Sequence, residues 1–247
     1  MYEGMLAETV CYKAHGGDVI EAYYARPLGA GPWPGVVIIH HGLGWDEWTR
    51  EVAEKLARHG YATISPSLWY REAPGASPDD AAATMRSQGG EPDDRCIGDV
   101  AAAADYLRTQ AYSNGKVGVI GFCSGGRQVY LVACKIPSLN AAVDCWGGSV
   151  YVPAEQLTAR QPMAPIDMTA GLACPLLGLF GNDDLNPEPA QVDRIEAELK
   201  KHGKTYEFHR YDGAGHAFFA THRPAYRVGP ALDAWTHIFA WYGKYLQ

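Results

Sequence analysis

The tightest constraint on the fold is four residues long. Val36-Val37-Ile38-Ile39 is a β-branched run with no polar residue inside it, entered through Pro34-Gly35 and leading to His40. A strand with one wet face alternates apolar and polar side chains; this one does not, so both of its faces must be covered. Lys116 to Gly121 and Leu176 to Phe180 read as buried strands too, and shorter strands are expected at Tyr61–Ile64, Ala141–Trp146 and Thr205–Tyr211. Helical spacing or composition separates them at Trp45–His59, Asp94–Gln110, Ser124–Ile136, Glu188–His202 and Ala231–Leu246, with Gly60 a natural helix stop. Strands that alternate with helices predict a mostly parallel sheet with helices on both faces. A hairpin, Thr9–Lys13 and Val19–Tyr24 around Gly16-Gly17-Asp18, precedes it. Residues 66–93, with a short helix around Asp79–Ser87, and residues 147–171 read as irregular; Asn114-Gly115 reads as a turn. Composition does not shift at any boundary, so residues 1–247 are read as one domain.

Composition removes several function classes. Lys plus Arg number 21 against 28 Asp plus Glu, a net charge of −7, with no basic run or tail. Nucleic acid is therefore not an expected partner. Residues 1–11 lack the basic start and long apolar stretch of a signal peptide, and no stretch nears the ~18 apolar residues of a membrane span. Six cysteines, none in a C-x-x-C pair, suit reduced thiols in a cytoplasm. Neither H-E-x-x-H nor a Cys/His cluster occurs, and His40-His41, adjacent on a strand, would point to opposite sides; no catalytic metal is expected. Small molecules or other protein surfaces are the expected partners.

Sites in such sheets form at the carboxyl ends of the strands. Three such ends carry chemistry. Gly121-Phe122-Cys123-Ser124-Gly125-Gly126, between a buried strand and a helix, is a G-x-nucleophile-x-G elbow with cysteine at its tip. The helix N-terminus favours thiolate over thiol there. Gly181-Asn182-Asp183-Asp184 follows another strand, and either aspartate could orient an imidazole. His216 stands in Gly213-Ala214-Gly215-His216-Ala217-Phe218 after the last strand. Nucleophile, acid and histidine, in that chain order, is the order of the α/β-hydrolase fold. Cys123 would attack a carbonyl carbon and His216 would shuttle the proton. The backbone N–H groups of Ser124 and Gly42 would hold the oxyanion.

The chain resembles the dienelactone hydrolase (carboxymethylenebutenolidase) family. The elbow, Gly181-Asn182-Asp183 with Pro187, and Gly213 to Phe218 carry the resemblance, with Tyr112 to Gly118 and Pro66 to Gly75 in support. It runs from about residue 34 to the C-terminal helix. It implies an α/β-hydrolase fold, no cofactor, and hydrolysis of lactones or small esters. It also selects Asp183 over Asp184. Two departures stand out. His41 occupies the position where the family carries an acidic residue beside the thiol. Of the family's two substrate-binding arginines, Arg86 matches the first, while the second falls near Ala220, with Arg223 three residues on. His41, Arg86 and Trp146 are thus the expected substrate contacts, and Arg127 is expected to be structural. The expected activity is lactone or ester hydrolysis through a thioester acyl-enzyme. Acyl transfer or broad esterase activity on neutral esters, and a non-catalytic thiol sensor, are the alternatives. The sequence leaves monomer and homodimer equally open.

Overall fold

The computed structural model describes residues 4–247. One eight-stranded sheet runs through it, built from β1 (Met5–Lys13), β2 (Val19–Pro27), β3 (Trp33–Ile39), β4 (Ala62–Pro66), β5 (Ser113–Phe122), β6 (Ala141–Cys145), β7 (Leu176–Gly181) and β8 (Tyr206–Tyr211). The strand order is β1-β2-β4-β3-β5-β6-β7-β8. The β1–β2 hairpin joins β4 antiparallel, and every pairing from β4 through β8 is parallel. Among the described residues six α-helices complete the fold: α1 (Glu47–Arg58), α2 (Pro78–Ser87), α3 (Asp93–Arg108), α4 (Ser124–Lys135), α5 (Pro189–Lys201) and α6 (Val228–Tyr245). This is the α/β-hydrolase arrangement expected from the sequence.

The run at 36–39 explains the layering. All four of its side chains are fully buried. Val37 and Ile39 share one apolar cluster with Val100, Ala104 and Leu107 of α3. Val36 and Ile38 share the other with Leu56 of α1 and Ile238 and Tyr242 of α6. Strand alternation sends successive side chains to opposite faces, and a helix layer waits on each. At roughly 1.5–3 kcal/mol per large aliphatic side chain removed from water, this strand anchors both layers.

The stretch before α3, irregular in the sequence, is fixed by charge. Arg71 reaches Asp99 of α3 at 2.8 and 2.9 Å and Asp18 at 2.7 Å. Arg95 pairs with Glu91 at 3.0 Å and with Glu72. Arg127, at the start of α4, grips Asp93 at 2.7 Å with both side chains nearly inaccessible, which is the structural role expected of it. Residues 147–171 hold two 3-10 segments, Ala154–Gln156 and Pro165–Gly171, where no regular structure was expected. Asn114-Gly115 lies inside the start of β5 rather than forming a separate turn, and α6 begins at Val228, three residues early. Among the described residues no helix is long and apolar enough to cross a membrane.

Candidate active site

The elbow forms because two glycines let backbones touch. A Cβ on Gly121 would lie 2.2 Å from the Gly125 carbonyl oxygen, and one on Gly125 would lie 2.4 Å from the Ile39 carbonyl oxygen. Any larger residue would force β5, α4 and β3 apart. The squeezed turn puts Cys123 at φ 57°, ψ −120°, a conformation that costs a non-glycine residue on the order of 1–3 kcal/mol. Its N–H bonds to the Cys145 carbonyl at 3.1 Å, and its own carbonyl accepts from the Gly126 and Arg127 N–H groups. Cys123 thereby caps α4 and stands half-buried over the sheet.

His216 comes from the loop after β8 and hydrogen-bonds Cys123. Behind it, Nδ1 meets Asp184 Oδ2 at 2.9 Å. This corrects the expectation that Asp183 orients the histidine. The Asp183 N–H is tied to the Ala214 carbonyl at 2.9 Å, and its side chain is exposed. The Asp184 N–H closes a turn onto the Gly181 carbonyl at 3.3 Å, which sends its side chain inward to 3% exposure. There Oδ1 accepts from the Asn186 N–H at 2.8 Å, leaving Oδ2 for the imidazole. Adjacent residues leaving a strand point to opposite sides, and only the second of this pair points in.

The electrostatics favour an ion pair. Burial pushes the Cys123 thiol up, but the His216 hydrogen bond and charge, with the backbone N–H groups of Ser124 and Gly42, bring it below its ordinary value. Burial pushes His216 down, yet Asp184 and Cys123 together raise it to about 10. Thiolate and imidazolium thus each favour the charged form of the other. The two amides expected to hold an oxyanion, those of Gly42 and Ser124, are the same two that donate toward the sulfur.

A cavity of about 590 Å³ opens over Cys123. His41, Trp48, Phe122, Trp146 and Ala220 give it a largely apolar wall, and Arg223 lies on it next to His222. Trp146 is held at φ 44° and packs edge-on to His216, at 6.3 Å between ring centroids. The His41 Nε2 meets Asp46 Oδ2 at 2.6 Å. Burial raises Asp46, but His41 and the Thr49 hydrogen bonds outweigh it and bring the carboxyl down to about 2. Asp46 also caps α1 through the Thr49 N–H at 3.0 Å, so the His41 ring is fixed to a helix end. Arg86 is not on this wall. Its Nη1 donates to the Gly42 carbonyl at 3.3 Å, and it lines a separate cleft of about 150 Å³ behind the oxyanion loop. The arginine that lines the cavity is Arg223, whose Nε donates to His222 Nε2 at 3.2 Å; it stands three residues past the expected position, on a loop with no pattern to fix it.

A model of the dienelactone hydrolase family matches residues 20–246. A protein of Methylorubrum extorquens named "Putative carboxymethylenebutenolidase" is 32% identical over 244 residues, covering 98% of this chain and 82% of that one. A Bradyrhizobium protein named "Probable 2-oxo-3-(5-oxofuran-2-ylidene)propanoate lactonase" is 31% identical over 224 residues, 90% of this chain and 88% of the other. The crystal structure of a "Putative Dienelactone Hydrolase" from Klebsiella pneumoniae superimposes with a TM-score of 0.89 at 28% identity, covering 98% of this chain and all of that one.

Proposed function

The chain belongs to the dienelactone hydrolase family, an enzyme family that hydrolyses lactones and esters, and from that premise we propose that it works through Cys123, His216 and Asp184 by way of a thioester acyl-enzyme. The observation that carries the reading is the continuous chain from Asp184 Oδ2 through the imidazole to the Cys123 sulfur, closed by two backbone N–H groups.

The Cys123 thiolate attacks the carbonyl carbon, and the carbonyl electron pair moves onto oxygen, where the Gly42 and Ser124 N–H groups receive the charge. The tetrahedral intermediate collapses. The C–O bond to the leaving group breaks, and His216 delivers its proton to the departing alkoxide. Water then attacks the thioester, His216 takes its proton, and the C–S bond breaks to restore the thiolate. With a lactone the leaving alcohol stays tethered to the acyl group, so the product is a single hydroxy acid. Asp184 holds the ring with Nδ1 toward itself and stabilises the imidazolium.

His41 and Trp146 contact substrate through the apolar wall, with Asp46 pinning the His41 ring. A substrate carboxylate would be met by Arg223, which lines the cavity, rather than by Arg86, which braces the oxyanion loop. The test is turnover of a panel of lactones and aryl esters, with and without a carboxylate. Wild-type activity that vanishes in Cys123→Ala supports the mechanism; full activity in that variant overturns it. Arg223→Ala is expected to raise KM about tenfold for anionic substrates and leave neutral ones unchanged.

A further inference from the structure

Away from the cavity, on the edge strand of the sheet, four side chains from two elements converge. Glu207 and His209 are two apart on β8 and so share one face of the strand. Asp233 and His237 are four apart on α6 and share one face of the helix. The two faces meet. The His209 and His237 rings stack with centroids 3.5 Å apart. His209 Nε2 lies 2.6 Å from Glu207 Oε1, and His237 Nδ1 lies 3.8 Å from that same oxygen. One nitrogen of each histidine and one Glu207 oxygen all fall within 4.8 Å of one another.

The geometry points to a binding site for a borderline divalent transition-metal ion of the Zn²⁺ type, ligated by Glu207, His209 and His237. Bonds of about 2.0–2.2 Å in a tetrahedral shell separate neighbouring ligand atoms by roughly 3.3 Å. The 2.6 and 3.8 Å spacings to Glu207 bracket that value, and the His209–His237 spacing, within 4.8 Å, adjusts as the two stacked, half-buried imidazoles splay toward a shared ion. The outer shell is what separates this cluster from a chance gathering of surface charge. His237 Nε2 meets Asp233 Oδ2 at 3.3 Å, and the Tyr211 hydroxyl donates to that same Oδ2 at 2.9 Å. A carboxylate on the far nitrogen fixes the tautomer that frees Nδ1 for a metal and makes it a better donor. Imidazole with carboxylate favours zinc, nickel or copper over magnesium or calcium, which prefer shells of oxygen alone. Three protein ligands leave the fourth position to water. The bound ion would staple the exposed edge strand to the C-terminal helix. This site is independent of the Cys123 chemistry.

Thiols compete for the same metals, so the test uses the full chain with its two accessible cysteines, Cys11 and Cys123, carbamidomethylated after EDTA treatment. Titration calorimetry with ZnCl₂ should give one equivalent bound. A hundredfold excess of free Zn²⁺ over Kd should raise Tm by on the order of 5–10 °C, and MgCl₂ should do nothing. His209→Ala and His237→Ala should each weaken binding at least about a hundredfold, and Asp233→Asn about ten- to a hundredfold through the outer shell. Should an alanine variant fold poorly by circular dichroism, His209→Gln and His237→Gln replace it with the same expectation. No binding at 100 µM Zn²⁺ (a ceiling set by ~10 µM protein), or affinity unchanged in both histidine variants, would overturn the proposal.

Discussion

Replacing each of the two adjacent aspartates in turn separates what the family resemblance selects from what the geometry shows. In Asp184→Asn the shape is kept and the charge behind His216 is lost. His216 is raised from its ordinary 6.5 to about 10, worth roughly 5 kcal/mol at 1.36 kcal/mol for each tenfold change in proton affinity. The imidazole is 37% exposed, so solvent screening cuts this to on the order of 2–3 kcal/mol, and Asp184 is the first of the groups that raise it. At 1.4 kcal/mol per tenfold, Asp184→Asn should lower kcat/KM for an aryl ester about a hundredfold, more if the amide selects the wrong tautomer. Asp183→Asn, altering an exposed side chain, should stay within about threefold of wild type. Stopped-flow release of a chromogenic phenol measures both. An inactive Asp183→Asn beside an active Asp184→Asn would refute the assignment.

Alkylation of Cys123 by iodoacetamide should show a pH inflection below the ordinary thiol value of 9, and His216→Ala should move it upward, because burial then acts without its counterweight. Asp144, fully buried with Oδ1 accepting the Gly147 N–H at 2.8 Å, is raised by burial from 3.8 to about 7. A raised carboxyl favours the fold below its unfolded value and loses that contribution as pH climbs through the folded one. Asp144→Asn should therefore stabilise the protein by up to about 4 kcal/mol at pH 8 and by much less at pH 5, read by urea denaturation. Arg127→Ala strands the Asp93 carboxylate in the interior and should cost about 3–5 kcal/mol in the same assay.

The parallel sheet was legible because an apolar run without alternation permits few placements, and Val36 to Ile39 fills one of them. Cys123 was legible because a G-x-C-x-G turn between strand and helix leaves its side chain one direction to go. Asp184 was not, since a pattern of spacing cannot say which of two neighbours turns inward. Here a backbone bond from Asp183 to Ala214 decides it, and that bond joins two distant loops. Gly-x-x-Asp, with the acid on the fourth residue of the turn, was the signal available. Arg86 and Arg223 show the same limit: long side chains on irregular segments are aimed by contacts that periodicity does not encode. The clamps on residues 66–93, from Arg71 and Arg95, pair residues more than twenty apart or across to α3 and could not be read locally. The Glu207–His209 and Asp233–His237 pairs each have recognisable spacing, but only the packing of α6 beside β8 brings them together.

Carbonyl chemistry that passes through the Cys123 sulfur leaves an acyl-enzyme in mid-turnover. Acid-quenching the enzyme within the first turnovers of an activated ester and taking its intact mass, then that of its peptides, tests it directly. One added acyl group per chain is expected, located on Cys123, cleaved by neutral hydroxylamine and missing from Cys123→Ala. Steady turnover with no adduct, and with Cys123→Ala as fast as the wild type, would contradict it.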